Sequence, residues 1–189
     1  WERANWFSSA GVTPVDGHTF GRPNWHDHVA AEHKACREGA ALFDQSSFVK
    51  LLVSGAGAEA LLQRLCAADV AVAPGTVVYT QMLNGVGGIE SDLTVARLSE
   101  SEYYLVSGTA MAVHDSGHIR RNTLGSDRVT VVDVTSAFGV LGLMGPRSRS
   151  ILQRLAEDNL AKEEFPYRAV REVMVAGAPV RMMRLSYVG

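Results

Sequence analysis

Two carboxylates, Glu90 and Asp92, follow a glycine-rich turn in the segment MLNGVGGIESDLTV, residues 82–95. The Asn-Gly and Gly-Gly pairs in this segment are typical of hairpin turns, so we expect the acids at the start of the hairpin's second strand. Their spacing of two residues predicts that both side chains lie on the same face of that strand. Carboxylates held in this way stabilise positive charge or exchange protons in many enzymes.

Asp92 is the stronger functional candidate of the two acids. Aspartate is a poor strand former, yet Asp92 is followed by the apolar residues Leu93 and Val95, which predict a half-buried strand. A carboxylate pressed against a core sheet needs hydrogen-bond partners or a function. We therefore expect a sheltered Asp92 with a functional role; the alternative is a pair of solvated acids beside a turn.

The histidines offer a weaker metal hypothesis. His114 and His118 have the i,i+4 spacing of some zinc ligands. No third ligand accompanies them in the sequence, so a hydrogen-bonded or solvated surface pair is favoured over a metal site. The histidines at positions 26, 28 and 33 are two and five residues apart, which places them on different faces of a helix. We therefore predict no metal ligands.

A second motif, Gly55-Ala-Gly57, resembles a dinucleotide-binding fingerprint because it follows a predicted strand and opens a predicted helix. No acid ends a second parallel strand about 20 residues later, as that fingerprint requires, so a plain strand-to-helix turn is favoured. The sequence contains no serine nucleophile elbow, P-loop or Cys-x-x-Cys pair. Cys36 and Cys66 are predicted to be buried thiols on apolar helix faces.

Composition excludes several classes of function. The 189 residues are enough for one or two compact units, and 47% hydrophobic and 20% charged residues are ordinary for a globular protein. The net charge of −2 gives no basic bias for nucleic acid. No apolar run approaches the roughly 18 residues of a membrane span, and no signal segment opens the chain.

The elements that must position these residues follow from periodicity and turn signals. Residues 1–24 are rich in Gly and Pro, and they predict an irregular lead-in. Helices are predicted over residues 25–41, 58–66 and 109–122 and from residue 145 onward, with Pro146 at the first helical position. Strands are predicted over residues 48–53, 77–83, 90–98, 103–107, 129–134, 138–144, 170–175 and 180–187.

An internal repeat runs through these elements. The segment FDQSSFVKLLVSGAGAEALLQRL, from Phe43, aligns with DVTSAFGVLGLMGPRSRSILQRL, from Asp133, 90 residues later. Each copy predicts a strand, a glycine turn and a helix, so we expect an α+β fold of antiparallel sheets with packed helices and two related subdomains. We place the first subdomain at residues 25–130 and an incomplete second one at 131–189. A doubly wound parallel sheet is the alternative, and the predicted hairpin near Asn84 opposes it.

The segment VVYTQMLNGVGGIESDLTVARL, residues 77–98, closely resembles the signature of the folate-binding aminomethyltransferase family. That family includes the T-protein of the glycine cleavage system and the C-terminal half of sarcosine and dimethylglycine dehydrogenases. The copy beginning at Asp133 and the terminal RMMRLSYVG resemble the dehydrogenase branch. The opening RANWF, residues 3–7, resembles the linker that joins a flavin domain to the folate domain there.

This resemblance implies a function and a set of site residues. An FAD domain oxidises an N-methyl amine to an iminium species, and tetrahydrofolate captures the one-carbon unit as 5,10-methylenetetrahydrofolate. The catalytic carboxylate of the family matches Asp92, which is then expected to be buried beside a cavity wide enough for a pteridine. The folate-binding positions match Tyr79, Thr94, Val106 and Tyr187. Ordinary core packing is the alternative for Tyr79 and Val106.

The same resemblance predicts that the sequence is a fragment, because the flavin domain and the acids that follow SYVG in the family are missing from it. The fragment alone is expected to bind folate poorly and to oxidise nothing. We expect the parent enzyme in the cytoplasm, or in the mitochondrial matrix of a eukaryote, with no nucleic-acid or membrane partner. A stand-alone aminomethyltransferase that acts on a lipoyl carrier and a non-catalytic interaction module of the same fold are the alternatives.

Overall fold

The computed structural model describes Ala4, residues 6–8 and residues 10–186. Within these residues the helices are α1 (His26–Glu38), α2 (Ala58–Leu65), α3 (Ala112–Arg121) and α4 (Ser148–Gln153). The strands are β1 (Ala41–Asp44), β2 (Val49–Ser54), β3 (Thr76–Leu83), β4 (Ile89–Ser99), β5 (Glu102–Ser107), β6 (Thr130–Asp133), β7 (Leu141–Met144), β8 (Val170–Val175) and β9 (Ala178–Met183). Short 3₁₀ turns occupy residues 109–111 and 135–137.

The chain divides into two compact units, and every strand pair in both is antiparallel. The first unit comprises Trp1–Asp44 with Leu141–Leu152, and the second comprises Gln45–Val140 with Gln153–Gly189. The predicted α+β class with antiparallel sheets is therefore confirmed. Among the described residues, no helix combines the length and the apolar character needed to cross a membrane.

The first unit contains α1 and a two-stranded sheet of β1 and β7. The predicted first helix was too long, since α1 ends at Glu38 and Ala41 already belongs to β1. Gly39 is the C-terminal cap of α1, and its backbone N–H donates to the carbonyl of Ala35. The sequence did not predict β1, because its partner β7 lies about 100 residues further along the chain.

The second unit is built on a five-stranded sheet in the order β3-β4-β5-β2-β6. Helices α2 and α3 cover one face of this sheet, because alternate residues of each strand are apolar and form one core with the apolar faces of the helices. Large buried members of this core include Leu51, Leu61, Leu62, Met82, Tyr103, Leu105 and Ile119. The helices therefore pack behind the strands that carry the predicted site.

The opposite face of this sheet is only partly covered. The antiparallel hairpin of β8 and β9 contributes Val170, which packs with Val77, Ala96 and Tyr104. Beyond this cluster, β3 and β4 continue to the predicted glycine-rich turn at residues 84–88. That end of the face carries polar residues, including Asp92.

The internal repeat is present as repeated local structure. Strand β2, Gly55 and α2 in the first copy correspond to β7, Gly145 and α4 in the second. Both glycines have positive φ, +123° and +113°. The second copy is shorter than predicted: α4 begins two residues after Pro146, and β7 begins only at Leu141. Before β7, the carbonyl of Phe138 accepts a hydrogen bond from Lys50 Nζ at 2.8 Å.

A glutamine in each repeated helix stabilises the chain that follows. Gln63 Oε1 accepts the backbone N–H of Val70 at 2.7 Å, and Gln153 Oε1 accepts that of Leu160 at 2.7 Å. We expect Gln63→Ala and Gln153→Ala each to lower the free energy of unfolding by about 1 kcal/mol, the usual contribution of such a bond. Urea denaturation of the intact polypeptide measures this, with the exposed Glu163→Ala as control. An unchanged free energy of unfolding in either variant would contradict the equivalence of the two glutamines.

Candidate functional site

Asp92 lies in β4 on the sheet face opposite the helices, where its side chain is exposed. The expectation of a buried Asp92 was wrong, because strand alternation turns its neighbours Ser91 and Leu93 into the core and Asp92 away from it. The hydroxyl of Tyr79 donates a hydrogen bond of 2.9 Å to Asp92 Oδ2. The carboxylate is therefore accessible and held by an aromatic hydroxyl from the neighbouring strand.

Three of the other predicted site residues lie beside Asp92 on the same face. Tyr79 of β3 pairs with Thr94 of β4, and Thr94 pairs with Val106 of β5. Tyr79 is 63% exposed, and Thr94 and Val106 are half-buried. The structure thus brings four of the five predicted residues together, and Tyr187 falls outside the described residues.

Glu90 does not share the face of Asp92, so this prediction was wrong. The register between β3 and β4 shifts after Met82, and Glu90 becomes an extra residue without a partner in β3. Such a β-bulge resets the alternation of side chains. The Glu90 carboxylate consequently bonds Asn84 Nδ2 at 2.9 Å and His114 Nε2 of α3 at 3.0 Å.

Asn84 connects the glycine-rich turn to Glu90. Its Oδ1 accepts the backbone N–H groups of Val86 at 3.1 Å and Gly88 at 2.8 Å, which fixes the turn. The hydrogen bond from Asn84 lowers the pKa of Glu90. Desolvation raises this pKa, but the hydrogen bond and the charge of His114 lower it further. Glu90 therefore meets His114 as a carboxylate.

Asp115 of α3 is a buried carboxylate, only 1% exposed, that the sequence reasoning missed. Its Oδ2 accepts hydroxyl hydrogen bonds from Ser91 at 2.9 Å and Ser107 at 2.6 Å. Its Oδ1 lies 3.2 Å from His114 Nδ1. A signal was available, since Asp115 precedes Ile119 by one helical turn and so occupies a core position, where an acid requires partners.

The two histidines of α3 stack with ring centroids 6.3 Å apart and planes 2° apart. His118 is buried, which corrects the expectation of a surface pair, and its Nε2 has no hydrogen-bond partner among the described residues. Among the residues that the structure describes, no group of three His, Cys, Asp or Glu side chains could hold a metal ion. The ring nitrogens of His114 instead face two carboxylates.

The Gly55-Ala-Gly57 turn packs against the protein's own backbone. A Cβ atom at Gly55 would overlap the carbonyl oxygen of Arg128, and one at Gly57 would overlap that of Asp127. Carbonyl oxygens repel a phosphate, so this turn has the features of a structural strand-to-helix connection rather than of a nucleotide site.

The two cysteines differ in burial. Burial raises the pKa of the Cys66 thiol to about 12, which keeps it protonated. Cys36 is half-buried on α1, where no side chain is fully buried, so its predicted burial is only partial. The candidate reactive group on the exposed face of the sheet is therefore the carboxylate of Asp92.

Comparison with known proteins gives matches over the whole chain. The family described as the GCVT N-terminal domain matches residues 1–189. The 4-methylaminobutanoate oxidase (formaldehyde-forming) of Paenarthrobacter nicotinovorans is 38% identical over 188 residues, which cover 100% of this chain and 23% of the oxidase. The mitochondrial sarcosine dehydrogenase of Homo sapiens is 37% identical over 229 residues, which cover 100% of this chain and 25% of that enzyme.

Among solved structures, the aminomethyltransferase T of the glycine cleavage system from Bartonella henselae matches with a TM-score of 0.68 and 26% identity. The match covers 84% of this chain and 43% of that protein. The chain thus has the fold of an aminomethyltransferase, and it spans about a quarter of the length of the two curated relatives.

Proposed function

The chain belongs to the GCVT N-terminal domain family, and from this premise we propose that it is the tetrahydrofolate-binding domain of an FAD-dependent N-methyl amine dehydrogenase. It is homologous to sarcosine dehydrogenase, and it has an aminomethyltransferase-type fold. The observation that carries the proposal is the exposed Asp92 carboxylate, bonded to Tyr79 and set beside Thr94 and Val106 on the open end of the sheet.

The substrate class comes from the relatives. Sarcosine and 4-methylaminobutanoate are both N-methyl amines, and the relatives named for them are a dehydrogenase and an oxidase. We assign the oxidation to an FAD region elsewhere in the whole protein, with the iminium product passing to this domain. We place the protein in the cytoplasm or, in a eukaryote, in the mitochondrial matrix, as the name of the human relative supports.

The residues of the open face offer the kinds of group that a folate ring would contact. Within the described residues, the carboxylate of the exposed Asp92 accepts one hydrogen bond, at Oδ2, which leaves Oδ1 for N–H groups of a ligand. The Thr94 hydroxyl adds a donor and an acceptor, and the half-buried Val106 adds an apolar surface. A flat heteroaromatic ring with polar edges requires this mixture of groups.

The role of Asp92 follows from its charge. Bound tetrahydrofolate would supply the nitrogen atoms that take up the one-carbon unit and yield 5,10-methylenetetrahydrofolate. A carboxylate about 4 Å from a developing positive charge stabilises that charge by up to about 4 kcal/mol near a protein surface. Asp92 can also accept the proton that is released, and the Tyr79 hydroxyl holds the carboxylate in one orientation.

Tetrahydrofolate binding tests the proposal directly. We expect the intact polypeptide to bind tetrahydrofolate in anaerobic calorimetry. Tyr79→Phe should weaken binding by up to about 10-fold, because without the hydroxyl the Asp92 side chain must be immobilised when the ligand binds. Tyr167→Phe, at another exposed tyrosine, is the matched control. Absence of binding by the intact protein would favour a non-catalytic interaction module of the same fold.

A further inference from the structure

We infer that Asp115 is a positioning residue that holds Asp92 in place from the core side of the sheet; its functional meaning rests on the function proposed above. The two serines that donate to Asp115 adjoin candidate site residues, since Ser91 precedes Asp92 and Ser107 follows Val106. Neighbouring residues of a strand face opposite ways. The serines therefore point to Asp115 while the site residues point to the ligand side.

Asp115 contacts the two serines at the end of the sheet where regular strand pairing stops. The ladder between β4 and β5 ends at the pair of Leu93 and Ser107, so Ser91 and Asp92 have no partner in β5. On their other side, the register with β3 shifts at Glu90. Asp92 thus lies between the end of one ladder and a bulge in the other. The Asp115 carboxylate joins Ser107 of β5, which belongs to the last backbone pair, to Ser91 of β4, which lies beyond it.

Burial strengthens this connection. Asp115, Ser91 and Ser107 are 1%, 4% and 7% exposed. Hydrogen bonds to an ionised acceptor are short and strong, and exclusion of water strengthens them further. The 2.6 Å bond from Ser107 is in the range of charge-assisted O–H···O bonds.

His114 extends the same connection to the bulge. Its Nδ1 lies 3.2 Å from Asp115 Oδ1, and its Nε2 lies 3.0 Å from Glu90 Oε2. The ring, stacked on His118, therefore connects Glu90, the residue before Ser91, to the helix that carries Asp115.

These contacts explain a buried acid that packing does not require. The apolar core between α3 and the sheet is provided by Ile119 and the residues that surround it. An acid at position 115 is costly to bury unless its hydrogen bonds matter. Displacement of a reactive group by about 1 Å lowers catalytic rates by up to about 10²-fold. We therefore expect Asp115 to affect the reaction rate more than the binding of ligand.

Amide hydrogen exchange of the intact polypeptide without ligand tests the positioning. Asp115→Ala should raise exchange at least 10-fold over residues 89–93, and the milder Ser107→Ala should raise it less. Asp127→Ala is the control. Asp127 also accepts strong hydrogen bonds, but it lies beyond the C-terminus of α3 and bonds Arg64 and Leu124 instead of the two serines. Unchanged exchange over residues 89–93 in both Asp115→Ala and Ser107→Ala would overturn the inference, whatever the domain binds.

Turnover by the intact enzyme supplies the second readout. Asp115→Ala should lower the folate-dependent kcat about 10-fold with little change in the KM for tetrahydrofolate. Asp115→Asn should recover most of the rate, since its amide oxygen can accept both serine hydroxyls. Equal losses in the Asn and Ala variants would overturn the inference. A wild-type enzyme that forms no methylenetetrahydrofolate but shows the exchange effect would reject the proposed function and support the positioning role.

Discussion

Asp92→Asn in the intact enzyme should lower the formation of 5,10-methylenetetrahydrofolate by about 10²-fold, the usual loss when one preorganised electrostatic contact to a transition state is removed. Asparagine has nearly the shape of aspartate, and its amide oxygen can still accept the hydrogen bond of Tyr79. The substitution therefore removes the negative charge and little else. Oxidation of the amine in the flavin region should continue at the wild-type rate.

Two rates measured on the same enzyme separate these effects. Methylenetetrahydrofolate is quantified after a fixed number of turnovers, and amine oxidation is followed by reduction of an artificial electron acceptor. Asp158→Asn removes a charge from another exposed position and is the control for net charge. Folate-dependent turnover that is unchanged in Asp92→Asn would refute the assigned role, and an equal loss of both activities would indicate a general structural defect.

Gly55→Ala should destabilise the second unit by about 3 kcal/mol or more, the scale of a strained backbone conformation combined with a steric clash. Gly55 has φ of +123°, a region that residues with a side chain rarely adopt. A Cβ atom would also overlap the backbone carbonyl of Arg128, which cannot move like a flexible side chain. Gly145→Ala meets the same conflict in the second copy of the repeat, at φ +113°.

Chemical denaturation of the intact polypeptide, followed by circular dichroism, measures this loss. Gly125→Ala is the matched control, because an added Cβ at Gly125 meets no atom within 4 Å. A destabilisation at Gly55 no larger than that at Gly125 would show that the turn adapts. It would also remove the steric reason for glycine at position 55.

Local pattern predicted much of the fold because its signals are contained in short segments. The hairpin around Asn84, the strand-to-helix turns at Gly55 and Gly145, and the antiparallel α+β class follow from turn residues, periodicity and the internal repeat. The side-by-side arrangement of Tyr79, Thr94 and Val106 follows from the family resemblance, and the strand register agrees with it.

The errors arose where a distant partner decides the local structure. The apolar residues after Asp92 indicated burial, but alternation placed them in the core and Asp92 on the exposed face. The bulge at Glu90 depends on pairing with β3, and the partners of Asp115 lie on two strands of the sheet. A single sequence contains no direct signal for such long-range contacts, apart from an acid at a helix position that should be apolar.

The bulge at Glu90 also limits which changes in chain length this hairpin tolerates. Deletion of Glu90 itself would restore regular pairing on both sides of the bulge, so Asp92 would still lie opposite Gln81 and face outward. Deletion of one residue from the regular ladder of β4 between Leu93 and Arg97 would instead invert every side chain on one side of the gap. During divergence, this hairpin can therefore gain or lose residues only on the turn side of Ser91 if Asp92 is to stay on the exposed face.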